Sequence, residues 1–147
     1  MTNLLLSSLT ILLASFCLAF FLKKQTSKRF LACGGAVVGS LLGMVPAFRV
    51  LMGSVFDTVY IASPIPEMTI AIGLDRLSAF FLVGIFCLSG LVGIYAIGYI
   101  KDQPRLLSSL PFFPLLVAAM AAVVTARDGF FFLIVWEIMS LVSYLLV

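Results

Sequence analysis

Three side chains near the end of this sequence have types and spacing that could move protons. Glu137 lies in the run Asp128–Val147, which is otherwise apolar enough to live in lipid. A carboxylate at the centre of a bilayer costs at least ~2.5–3.5 kcal/mol, so a sequence that keeps one there has a use for it. Ser140 at i+3 and Tyr144 at i+7 fall on the same helical face as Glu137. Hydroxyls beside a carboxylate can donate to it or hold water, which are the stepping stones of a proton wire. The expectation is a proton path with Glu137 as its proton-binding group and Ser140 and Tyr144 as relays. A glutamate hydrogen-bonded to a neighbouring helix for purely structural reasons is the alternative.

Little else in the sequence suggests chemistry. Cys17, Cys33 and Cys87 are widely spaced inside apolar runs, and the chain has no histidine to join them as a ligand. They read as small apolar side chains rather than a disulfide framework or metal site. With no cysteine cluster and no Gly-rich phosphate loop, nothing here is expected to bind haem, an iron–sulfur cluster, flavin or nickel. No cofactor and no catalytic residue is predicted. Arg127-Asp128 and Asp75-Arg76 read as solvated turns that cap the helices after them.

The elements that must position Glu137 follow from composition. Of 147 residues, 63% are hydrophobic and only 10% charged, against about 25% charged in a soluble domain. The expected class is therefore an all-α, multi-pass membrane helix bundle, a single membrane domain over residues 1–147. Five apolar segments, roughly 3–22, 30–52, 77–98, 107–126 and 129–147, are long enough to span a bilayer. Counted from Gly129, Glu137 lies ~12 Å along its helix, close to the midplane of a ~30 Å hydrocarbon core. Net charge is +3, and the basic residues gather between apolar runs, so they report topology rather than nucleic-acid binding. Lys23, Lys24, Lys28 and Arg29 follow the first segment, and Lys101 and Arg105 follow the third. The positive-inside rule then predicts the N-terminus outside and both basic loops in the cytoplasm, and the expected location is the cytoplasmic (inner) membrane. No basic n-region precedes the first apolar run, so a retained helix is expected rather than a signal peptide.

The outer loop 53–76 alternates on both sides of Ser63-Pro64-Ile65-Pro66, with Val55, Asp57, Val59 and Ile61 before it and Met68, Ile70, Ile72 and Leu74 after. Period-two alternation around a proline-rich turn predicts a short β-hairpin, with an irregular loop as the alternative. Gly35, Gly39 and Gly43, and likewise Ala118, Ala122 and Ala126, recur every fourth residue and predict close helix packing. Pro46 lies deep in the second segment, where a kink is expected. The final apolar run has no closing polar loop, which points to a truncation of something longer.

The run Trp136-Glu137-Ile138-Met139-Ser140-Leu141-Val142-Ser143-Tyr144-Leu145-Leu146-Val147 resembles the fifth-helix signature of antiporter-like subunits. These occur in respiratory complex I, multisubunit cation/proton antiporters and membrane-bound [NiFe] hydrogenases. Gly73-Leu74-Asp75-Arg76-Leu77-Ser78-Ala79-Phe80-Phe81 is similar to the start of the family's third helix, and Tyr95-Ala96-Ile97-Gly98-Tyr99 to its end. Within the family the nearest likeness is to the large membrane subunit of hydrogenase-4 and formate hydrogenlyase. The resemblance implies that Glu137 is the family's fifth-helix glutamate, used in proton translocation with a lysine on a seventh helix. This chain has no lysine after Lys101, so the resemblance places that partner charge in another segment or another chain. It also implies a non-redox membrane subunit of a hydrogenase or NADH dehydrogenase-like oxidoreductase complex. Its partners would be the lipid bilayer and the other membrane subunits, with no nucleic acid. A subunit of a multisubunit cation/proton antiporter and a structural fragment without transport activity remain as rival readings.

Overall fold

The computed structural model describes residues 2–22, 24–55, 58–62, 69–100 and 104–147. Among these residues six helices and two strands follow one another as α1 (Thr2–Phe21), α2 (Gln25–Leu51), β1 (Val59–Ala62), β2 (Thr69–Ile72), α3 (Arg76–Tyr99), α4 (Pro104–Ser109), α5 (Phe112–Thr125) and α6 (Gly129–Leu146). Among the described residues, α1, α2, α3 and α6 are long and apolar enough to cross a membrane. Only helices and closed barrels satisfy every backbone polar group in lipid, and continuous apolar runs give helices. The fold is an all-α membrane bundle carrying one small two-stranded sheet.

Two boundaries differ from the sequence-based expectation. Helix α2 begins at Gln25 and not at residue 30, so Lys28 and Arg29 lie within its first turns. Its 27 residues rise ~40 Å, more than the ~30 Å of hydrocarbon, which leaves that basic end in the polar zone. The segment expected as one helix over 107–126 is instead split into α4 and α5, with the break at Leu110-Pro111. Pro111 has no N–H to continue the α4 ladder, and it stands as the N-cap of α5, where that N–H is not needed. At 14 residues, α5 rises only ~21 Å. Ala126 also falls outside α5, in extended backbone, so the predicted alanine stripe is reduced to Ala118 and Ala122.

Helix α2 is the centre of the bundle, packing against α1 on one side and α3 on the other. The glycine stripe makes this possible. A side chain at Gly35 would overlap Ser15, one at Gly39 would meet Leu12, and one at Gly43 would overlap Phe86 and Ser8. Around these contacts Leu5, Leu12, Ala36, Ala47, Leu82, Phe86, Val117 and Ala121 form the main core, fully or almost fully buried. A second cluster near the other end joins Ala19, Ala32, Cys33, Ala96, Ile100, Leu107 and Leu110. Pro46 is buried inside α2, which continues through it to Leu51.

The predicted hairpin forms. Strands β1 and β2 pair antiparallel, Val59 opposite Ile72 and Ala62 opposite Thr69. Its proline-rich turn, Ser63 to Pro66, lies outside the described residues. Ala126 bridges to Ile72 as an added edge residue, with the Gly73 N–H donating to the Thr125 carbonyl at 2.9 Å and the Arg127 N–H to the Ala71 carbonyl at 2.8 Å. The hairpin therefore ties the α5–α6 connection to the chain entering α3.

Candidate functional site

Helix α6 starts where Asp128 caps it, its Oδ1 accepting from the Phe130 N–H at 3.0 Å and the Phe131 N–H at 3.1 Å. This cap was expected from the sequence. The helix then packs chiefly on α5 through a narrow seam, in which Val135 and Val142 are buried and Phe131, Phe132, Met139 and Leu146 half-buried. Those positions repeat every three or four residues, the spacing of one helical stripe. Phe132 and Trp136 meet edge to face beside the seam, with ring centroids 5.3 Å apart.

Glu137 comes two residues after Val135, ~200° around the helix from it. Its side chain accordingly lies on the outward face and is exposed, with Leu133, Ile134, Leu141 and Tyr144 exposed around it. Ser140 is exposed on the same face. The structure thus gathers Glu137, Ser140 and Tyr144 on one side of α6, turned away from α5. No described residue hydrogen-bonds or ion-pairs with the carboxylate, so no neighbouring helix of this chain holds it among the described residues. Glu137 is the ninth of 18 residues in α6. Among the described residues, no other charged side chain lies so near the middle of an apolar helix.

The other polar cluster sits at the hairpin end, and sequence reasoning missed its tertiary part. Asp75 caps α3, accepting from the Ser78 N–H at 2.8 Å, as expected. Beyond that, Arg127 reaches across from the start of α6 and donates through Nη2 to Asp75 Oδ1 at 2.9 Å and to Ser78 Oγ at 3.3 Å. The Ser78 hydroxyl and N–H foremost, with the Arg127 guanidinium, hold the Asp75 carboxyl well below the usual carboxylate range. No spacing rule links these residues, because the contact joins two elements far apart in the chain. Among the described residues, no three His, Cys, Asp or Glu side chains gather where they could hold a metal ion.

Comparison with known proteins finds relatives. Residues 63–108 match the model of the N-terminus of chain 5 of NADH-ubiquinone oxidoreductase, complex I. The chain is 26% identical over 114 residues to hydrogenase-4 component B of Escherichia coli, an alignment covering 76% of this chain and 17% of that protein. It is 31% identical over 134 residues to NADH-ubiquinone oxidoreductase chain 5 of Chondrus crispus, covering 81% of this chain and 20% of the other. The chain is related to the antiporter-like membrane subunits. An uncharacterised protein of Mycobacterium tuberculosis strain H37Rv is 36% identical over 115 residues, covering 78% of this chain and 17% of that one. The chain spans about a fifth of the length of the curated relatives it matches. Together with its apolar helices, the relationship makes it a multi-pass membrane protein. The matched residues include Asp75 and Ser78 and end before Arg127 and Glu137.

Proposed function

We propose that this chain is the N-terminal part of a proton-translocating subunit in a respiratory NADH dehydrogenase-like or hydrogenase complex. It would lie in the cytoplasmic membrane with its N-terminus outside. Electron transfer would take place elsewhere in that complex, and this chain would contribute part of a proton path. Glu137 would bind and release the proton, with Ser140 and Tyr144 relaying it along the outward face of α6.

The observation that carries this reading is the position of Glu137, midway along an apolar helix and facing away from its own bundle. A carboxylate pointing into lipid there would cost at least ~2.5–3.5 kcal/mol. The cost falls if another protein surface or a line of water covers that face, and Ser140 and Tyr144 extend the polar surface toward the far end of the helix. Relatives named for complex I and hydrogenase-4 support an assembly that supplies such a cover.

The test uses the complete assembly in membrane vesicles, with the electron donor added and proton uptake followed by a pH-sensitive dye. Glu137→Gln should reduce electron-driven proton movement at least tenfold while the assembly still forms. Proton movement at the normal rate in that variant would refute the assignment. Exchange driven by a sodium gradient without any electron donor would instead place the chain in a cation/proton antiporter.

A further inference from the structure

Along most of its length α6 is thinly held, with only Val135 and Val142 buried. Apolar contacts of this kind resist sideways separation but supply no directional bond that fixes axial position. Helix α5 over Phe112–Thr125 carries no charged side chain that could lock it, nor does β2 over Thr69–Ile72. Among the described residues, the polar ties of α6 to the rest of the bundle lie at its hairpin end. There the Arg127 N–H donates to the Ala71 carbonyl, and its guanidinium spans Asp75 and Ser78 on the first turn of α3. The path of the side chain is itself built in. A Cβ at Gly73 would come within 2.8 Å of Arg127 Cγ and 2.9 Å of Nε, so a larger residue there would force the arginine stem to shift. Asp128 then caps α6 one residue later, so the clamp and the rigid helix are joined without slack.

We propose that Arg127, lodged over Gly73 and clamped to Asp75 and Ser78, is a positioning residue that fixes the depth of Glu137 in the membrane. This rests on the reading of Glu137 as the proton-binding group. A helix transmits axial displacement without damping, and Glu137 lies ~12 Å from the start of α6. Any slip at the clamp therefore carries the carboxylate by the same distance toward one surface.

The test is a depth measurement on the full-length subunit in its assembly, with native cysteines replaced. A nitroxide is attached at Leu141→Cys, on the exposed face of α6, and its depth is read by power-saturation spectroscopy. Arg127→Gln should shift that depth on the order of 3 Å, two residues' rise, and lower proton transfer several-fold. Gly73→Val, which leaves every charge in place, should produce the same pair of changes by evicting the arginine stem. Arg127→Lys, which keeps the charge pair with Asp75, should restore most of both. An unchanged label depth in Arg127→Gln and Gly73→Val would overturn the proposal, whatever happens to the amount of assembled protein. So would normal proton transfer despite a displaced label. If Glu137→Gln leaves proton transfer intact, it is the Glu137 reading that has failed, and the label depth still tests the clamp independently.

Discussion

Gly43 and Gly84 offer a paired test of how the bundle is held together. Both are interior helix positions, in α2 and α3, so replacing either by alanine should gain the same helix propensity, ~1 kcal/mol. Their surroundings differ. A methyl at Gly43 would overlap the Phe86 ring and sit 2.7 Å from the Ser8 hydroxyl oxygen, inside the 3.4 Å at which ordinary contact begins. Phe86 is 1% exposed and Ser8 fully buried, so both sit in the packed interior. A methyl at Gly84 meets nothing within 4 Å. Because the propensity gain cancels, the difference between the variants isolates overpacking, ~1–3 kcal/mol. Unfolding free energies of the full-length protein, measured by steric trapping in detergent micelles, should place Gly43→Ala below Gly84→Ala by that amount. Equal stabilities, or a more damaging Gly84→Ala, would refute the packing described at the α1–α2–α3 junction.

Two further outcomes are expected. Asp75→Asn should cost no more than ~1 kcal/mol near neutral pH, because the ion pair with Arg127 is largely exposed and asparagine still caps α3. Since folding lowers the Asp75 carboxyl from its ordinary pKa of ~3.9, its contribution is fully present above that value. It is lost as pH falls further, so melting temperatures of wild type and Asp75→Asn should converge only in strong acid. Topology is checked at Tyr60, exposed on β1: a cysteine there should react with a membrane-impermeant maleimide added to intact cells. Reaction only after permeabilisation would reverse the proposed orientation.

The legible parts of the fold were those set by local pattern. Continuous apolar runs gave the helices, and alternation around Ser63-Pro64-Ile65-Pro66 gave the hairpin. Asp75 and Asp128 could be read as caps because a cap needs only the residues that follow it. The start of α2 was misplaced because Lys28 and Arg29 look like loop residues, although their long stems let them lie in a helix with their charges in the polar zone. The apolar run 107–126 reads as one helix, so the break at Leu110-Pro111 that separates α4 from α5 was not legible. Helical geometry placed Glu137, Ser140 and Tyr144 on one face, yet a helical wheel has no outside. Only packing on α5 shows that this face looks away from the bundle. The clamp of Arg127 on Asp75 was invisible for a related reason: it is a tertiary contact with no sequence spacing of its own.

The central claim, that Glu137 takes up and releases a proton during turnover, is tested most directly by infrared difference spectroscopy on the complete assembly. Initiating electron transfer should produce a transient carboxyl C=O band that disappears in Glu137→Gln. Identical difference spectra for wild type and Glu137→Gln would contradict the account.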